Sequence, residues 1–111
     1  MVTIKAIQRK DTQRIRLEVK GHAGQAERGQ DIVCSAVSIL IYTVAQIVRL
    51  MEAEGSCTEP PTVKLDSGDT TIDATSHDFK TLERMLFFAK TGFSLLQATY
   101  PEYVKLIVDE A

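Results

Sequence analysis

The chain has 111 residues, a length that fits one domain, and we therefore expect residues 1–111 to form a single domain. Apolar residues make up 44% and charged residues 25%, a balance typical of globular proteins rather than of disordered or collagen-like chains. The formal net charge of −2 gives no general attraction to nucleic acid or to an anionic membrane, so we expect neither as a partner.

Cysteine usage indicates a reducing compartment. Neither Cys34 nor Cys57 belongs to a CxxC pair, and the first residues lack the basic and then apolar pattern of a secretory signal. We therefore expect a cytoplasmic protein with free thiols rather than a disulfide. The two cysteines, with His22 and His77, lack the short ligand-pair spacing of a zinc site, and we expect no metal and no cofactor.

Residues 2–8 and 13–20 are predicted to be strands, because apolar and charged side chains alternate along the second of them. This hairpin concentrates basic residues, for which a solvated strand face is the plain interpretation and an RNA-binding patch the alternative. A glycine-rich stretch without periodicity follows. It predicts a mobile loop that contains Gly21, Gly24 and Gly29.

Asp31 stands directly before a long apolar run, where its side chain can cap a helix that extends to about Ala53. The apolar residues cover more than one face of this helix, which indicates burial on several sides and favours a dimer partner in so short a chain. The run approaches membrane length, but Gln46, Arg49 and other polar residues oppose a lone membrane span. We expect a buried or interface helix.

The pair Pro60-Pro61 ends the loop after this helix. Beyond it, residues 62–66 and 70–75 are predicted to form a β-hairpin, with Val63, Leu65 and Ile72 as buried candidates.

Ser76 is predicted to cap a second helix that runs to about Ala98, in which apolar residues recur at steps of three and four. Residues 103–108 are predicted to form a last short strand. The resulting order, ββαββαβ, indicates an α+β fold in which an antiparallel sheet is packed with two main helices.

The candidate chemistry lies between the second strand and the first helix. His22 and Cys34 are separated by eleven residues, and the expected first turn of the helix would stabilise a Cys34 thiolate and an oxyanion. His22 would take the thiol proton and return it to a departing amine. Asp31 either only caps the helix or also orients His22. Ser38 bonds either the helix backbone or a catalytic group. For Cys34, the alternative to a catalytic role is inert packing in the helix.

These positions resemble the signature of the bacterial ribosomal-processing cysteine protease Prp family, through Gly21-His22-Ala23, Gly29, Asp31-Ile32-Val33-Cys34 and Ala36-Val37-Ser38. The resemblance implies a homodimer in which Cys34 is the nucleophile and His22 its partner, with Asp31 and Ser38 as supporting residues. It also implies a substrate, the precursor of large-subunit ribosomal protein L-twenty-seven, whose N-terminal extension the family removes. Gly21 and Gly24 then belong to a loop that substrate binding reshapes.

Two positions depart from the family pattern. Ser35 stands where alanine is usual, and Arg28 stands where an aromatic residue is common, which bears on the choice of peptide side chains. Two other functions remain open. One is a non-catalytic, ribosome-associated dimer that holds RNA or a basic protein, and the other is a peroxide-sensing thiol at Cys34.

Overall fold

The computed structural model describes the backbone of residues 1–21 and 28–111, and the side chains of residues 1–21 and 32–111. The predicted order ββαββαβ is confirmed. In chain order the elements are β1 (Val2–Arg9), β2 (Arg14–Lys20), α1 (Arg28–Ala53), β3 (Thr62–Asp66), β4 (Asp69–Thr75), α2 (Phe79–Thr99) and β5 (Val104–Glu110).

The five strands form one sheet in the order β3-β4-β2-β1-β5. The β1–β2, β2–β4 and β3–β4 pairs are antiparallel, as predicted. The pair of β1 and β5 is parallel instead, which makes the sheet mixed rather than purely antiparallel. The reason is the crossover: α2 carries the chain back along the sheet, so β5 runs in the direction of β4, which is also the direction of β1.

The core lies on one face of the sheet. Alternate residues of β1 and β2, such as Ile4 and Leu17, are fully buried there, and α1 and α2 cover them. The helices contribute Val33, Val48 and Phe93, which are also fully buried. The predicted hairpin fits this core through Ile72, which is buried, whereas Val63 and Leu65 on the outermost strand are only half-buried.

The other face of the sheet is charged, and Arg14 and Arg16 on this face are paired with carboxylates. Arg14 bonds Glu59 at 2.7 Å and also bonds Asp73, while Arg16 bonds Asp73 at 3.0 Å. The Arg14–Glu59 pair is exposed and contributes at most about 1 kcal/mol to stability, whereas the Asp73 carboxylate that Arg14 and Arg16 share is buried. The face therefore has mixed charge, which supports the solvated interpretation of the basic hairpin.

Helix α1 begins at Arg28, three residues before the predicted start. Gly29 consequently belongs to the helix and not to a loop, and Asp31 is a residue of the first turn and not the cap. A glycine inside a helix costs only about 1 kcal/mol relative to alanine, which the packing of a 26-residue helix readily offsets.

Helix α2 is capped by Asp78 and not by Ser76. The Asp78 carboxylate accepts a hydrogen bond from the Thr81 amide at 3.3 Å. Ser76 is fully buried, donates its hydroxyl hydrogen bond to the Ser56 carbonyl at 2.6 Å and accepts one from the Asp78 amide. It remains with the sheet because Cys57 bridges to it beyond the end of β4.

The stretch Ile32–Ala53 of α1 is long and apolar enough to cross a membrane, with a mean hydropathy of 1.8. Its core side packs against the sheet through residues such as Val37 and Val44. Only 33% of the apolar window is buried, so the predicted burial on several sides is not met within one chain. The remaining apolar side chains face outward.

Candidate active site

A cleft with a volume of about 440 Å³ lies between the first half of α1 and the adjoining ends of β2, β3 and β4. Its floor is apolar, and the rim opposite α1 is the polar turn from Asp66 to Asp69. The floor consists of Val2, Val19, Val37 and Ile41, all of them buried. An apolar floor with a polar rim suits a peptide, which offers both side chains and backbone.

Cys34, Ser38 and Tyr42 line the helix side of this cleft. A spacing of four residues places the three side chains on one side of α1, about 6 Å apart along the helix axis. Cys34 is a free and exposed thiol, Ser38 is half-buried and Tyr42 is exposed. Sequence reasoning identified Cys34 and Ser38 but missed Tyr42, which the same four-residue step would have indicated.

Cys34 does not lie in the first turn of α1. It is the seventh residue counted from Arg28, whereas the unpaired amides of a helix belong to its first four residues. The effect of the helix dipole also falls off within the first turn. The expected anion site at the helix opening therefore does not coincide with Cys34, and this part of the prediction is wrong.

Gly21 directly follows β2 and lines the same cleft as Cys34. Its backbone has φ +94°, and its amide donates a hydrogen bond to the Gly68 carbonyl at 3.1 Å. A Cβ atom at this position would lie 2.4 Å from the Met1 carbonyl oxygen. Gly21 is thus held in place at the cleft by its neighbours, although it was predicted to be part of the mobile loop.

The predicted residues His22 and Gly24 lie outside the described residues, and so does the side chain of Asp31. The structure therefore brings Cys34, Ser38 and Gly21 to one cleft. His22 follows Gly21 directly in the chain.

Replacing Gly21 with alanine is expected to lower the free energy of unfolding by about 3 kcal/mol, because both the backbone angle and the Met1 carbonyl oppose a Cβ atom. The matched control is Gly55→Ala, where φ is +76° but no atom lies within 4 Å, and we expect a loss of about 1 kcal/mol. Urea denaturation measures both. Equal losses in the two variants would contradict the close packing of Gly21.

An ionic cluster that sequence reasoning missed lies at the rim of the cleft. The Asp69 carboxylate accepts hydrogen bonds from Lys20 and, at 2.6 Å, from Lys64. These bonds, from Lys20 first and then Lys64, lower the pKa of Asp69 to about 2. Asp69 consequently stays ionised at neutral and mildly acidic pH, so its two exposed ion pairs persist over that range.

Cys57, the second thiol, lies elsewhere. It is half-buried in the loop before β3, and burial, with a smaller contribution from Glu52, raises its pKa. Its thiolate is therefore disfavoured, and thiolate is the form of cysteine that attacks carbonyl groups. Among the described residues, no group of three or more His, Cys, Asp or Glu side chains is placed to hold a metal ion.

Comparison with protein-family models and with solved structures gives consistent matches. The sequence model of the family described as cysteine protease Prp matches residues 1–105. The crystal structure of SMU.848 from Streptococcus mutans is 31% identical, with 100% of this chain and 96% of that chain covered and a TM-score of 0.69. A search of curated proteins gives no match.

Two further structures show the same fold at 20% identity. Both are of the essential ribosomal processing protease Prp from S. aureus, one in complex with a substrate peptide and one with a covalently linked product peptide. Their TM-scores are 0.67 and 0.66, and each comparison covers 98% of this chain and 100% of that chain.

Proposed function

This chain belongs to the cysteine protease Prp family, and we propose that it hydrolyses peptide bonds through a thioester formed on Cys34. The observation that carries the proposal is the position of Cys34. It is a free, exposed thiol on the wall of a cleft whose apolar floor and polar rim suit a peptide. Cys57, by contrast, is half-buried rather than exposed, and it does not line this cleft.

His22 is the proposed general base and acid. It takes the proton of the Cys34 thiol as the sulfur attacks the carbonyl carbon, and it gives that proton to the leaving amine as the C–N bond breaks. Water then attacks the thioester carbon, His22 accepts its proton, and the acid product leaves as the thiol reforms. Support comes from the chain path, because Gly21, the residue before His22, lines the cleft that holds Cys34.

The proposed substrate is the precursor of ribosomal protein L-twenty-seven, from which the protein would remove an N-terminal extension. Family membership supports this choice, and so does a cleft with an apolar floor. The test is to incubate the purified protein with the host's L-twenty-seven precursor and to identify the products by mass spectrometry. A single cut near the N-terminus is expected, and an intact precursor would rule out this substrate.

A non-catalytic RNA-binding dimer is the weaker alternative. RNA binding of this kind needs Lys and Arg side chains that are available to phosphates. Arg14 and Arg16 on the open face of the sheet instead bond Glu59 and Asp73. Salt-sensitive RNA binding by a protein without peptidase activity would favour this alternative.

We also propose a homodimer, formed through the outer sides of the two helices. Ile32, Ile39 and Leu50 are exposed and share one side of α1, while Phe88 and Leu95 are exposed one heptad apart on α2. Helices α1 and α2 pack closely where Leu40 lies against Gly92. Helical spacing places the exposed apolar residues of α1 and those of α2 next to this contact, on the side that faces solvent. Exposed apolar surface of this kind is typical of protein interfaces.

Phe88→Asp is therefore expected to convert the dimer to a monomer, because a buried, unpaired carboxylate at an apolar interface is costly. The matched control is Phe87→Asp, since Phe87 is 67% exposed and Phe88 is 71% exposed, but Phe87 lies on a different side of α2. Light scattering coupled to size-exclusion chromatography gives the mass of each. A dimer that Phe88→Asp leaves intact would place the interface elsewhere.

The proposed place of action is the cytoplasm. A protease that needs a free thiol works best where thiols stay reduced, and both cysteines of this chain are free.

A further inference from the structure

The first strand in the sheet order, β3, has a neighbour on one side only. Asp66 pairs with Asp69 across a turn of two residues, so these two residues exchange both of their backbone hydrogen bonds. Since bonded pairs alternate in an antiparallel ladder, the N–H and C=O groups of Val63 and Leu65 point away from β4. Within the described residues, no strand, loop or helix takes up these groups.

This free edge borders the cleft. Leu65 lies on the helix-covered face of the sheet, level with Thr70, and lines the cleft that Cys34 and Tyr42 line from the helix side. Val63 is on the same face two residues earlier, opposite Ile72. Leu65, one of the two residues with unpaired backbone groups, thus lines the cleft that holds Cys34, and Val63 continues the same edge two residues earlier in the strand.

We infer that the substrate binds as an extended strand added to the free edge of β3, with its backbone paired to Val63 and Leu65 and alternate side chains directed into the cleft. A peptide bound in this way would extend along the cleft and bring one of its peptide bonds close to Cys34. The inference rests on the proposed function and specifies how that site holds its substrate. Strand addition of this kind supplies affinity through backbone bonds, and pockets for alternate side chains supply specificity.

A short peptide segment fits this edge better than a second copy of β3. Pro60 and Pro61 precede the strand, and the turn at Ser67 follows it, so only two residues present outward backbone groups. Edges this short are unfavourable for pairing between whole sheets. Two copies paired edge to edge would also occupy the mouth of the cleft that holds Cys34.

Amide hydrogen exchange tests the inference directly. The Cys34→Ala protein, which cannot turn over substrate, is measured by NMR with and without a saturating peptide that carries the N-terminal extension of the host's L-twenty-seven. We expect exchange at the Val63 and Leu65 amides to slow at least tenfold with peptide. The amide of Lys64 points toward β4 and pairs with Thr71, so its exchange is the internal control and should change little.

A peptide that binds without slowing exchange at Val63 and Leu65 would overturn the inference and leave the proposed function intact. Slow exchange at both amides before peptide is added would also overturn it, because a second copy or another segment would then cover the edge. Wild-type protein that leaves this peptide intact would instead count against the proposed substrate, and the inference would fall with it.

A pair of variants gives a kinetic test. Leu65→Pro removes the outward N–H of residue 65 but leaves the β3–β4 hydrogen bonds in place, and an edge strand accepts proline at such a position. Leu65→Ala keeps this N–H and is the matched control. We expect KM for the peptide to be at least tenfold higher in Leu65→Pro than in Leu65→Ala, with kcat within about threefold. Equal KM values in two folded variants would contradict the inference. If the proline variant does not fold, the hydrogen-exchange measurement alone tests the inference.

Discussion

Cys34→Ala is expected to abolish peptide cleavage, with kcat/KM falling by at least about 10⁴-fold, the scale seen when a protease loses its nucleophile. The reason is that the thioester cannot form without the sulfur, and neither Ser38 nor Tyr42 in the same cleft carries a group of comparable nucleophilicity. Initial rates on a peptide that spans the cleavage site measure the loss. A rate within tenfold of the wild type would end the assignment of Cys34.

Cys57→Ala provides the matched control. This thiol is half-buried, and burial raises its pKa, so its removal should leave kcat/KM within about twofold of the wild type. Cys34 is exposed, so Cys34→Ala should change the free energy of unfolding by no more than about 0.5 kcal/mol. Thermal unfolding of both variants separates lost chemistry from lost structure.

The elements of this fold were predictable because their periodicities are strong. The alternation in β2 and the steps of three and four in α2 fixed the type of each element, and the order of elements followed from them. The direction of β5 was not predictable in the same way, because a half-buried strand has a period of two whether its neighbour is parallel or antiparallel. Only the crossover through α2 decides it.

The ends of the helices were harder to predict than their existence. Asp31 and Ser76 are both good capping residues in front of apolar runs, yet α1 begins at Arg28 and α2 is capped by Asp78. For Ser76 the competing interaction is tertiary, since its hydroxyl bonds the Ser56 carbonyl on a distant part of the chain. A local pattern does not contain that partner.

Some residues of the candidate site were predictable from the sequence and others were not. Cys34 and Ser38 were predictable because their chemistry and their four-residue spacing are local features. Asp69 and Leu65 were not, because they come to the cleft through the β3–β4 hairpin. The rim of the cleft therefore depends on tertiary structure, whereas the position of the proposed nucleophile, Cys34, depends on one helix.

The early start of α1 changes how activation of the thiol is explained. If Asp31 had been the cap, the first-turn amides would have stabilised a thiolate at Cys34 without help from another side chain. With Cys34 in the second turn, that contribution is small. The proposed general base must then supply most of the activation, so removal of that base should have a large effect.

His22→Ala is accordingly expected to lower kcat/KM by about 10³-fold, near the middle of the range for a lost general acid–base catalyst. His77→Ala is the matched control, since His77 is exposed next to the cap of α2 and should be dispensable. Imidazole added to the His22→Ala protein should restore part of the rate, because it can move the same proton. It should restore nothing to Cys34→Ala, which lacks the sulfur. A His22→Ala protein that cleaves the peptide within tenfold of the wild type would show that another group activates Cys34.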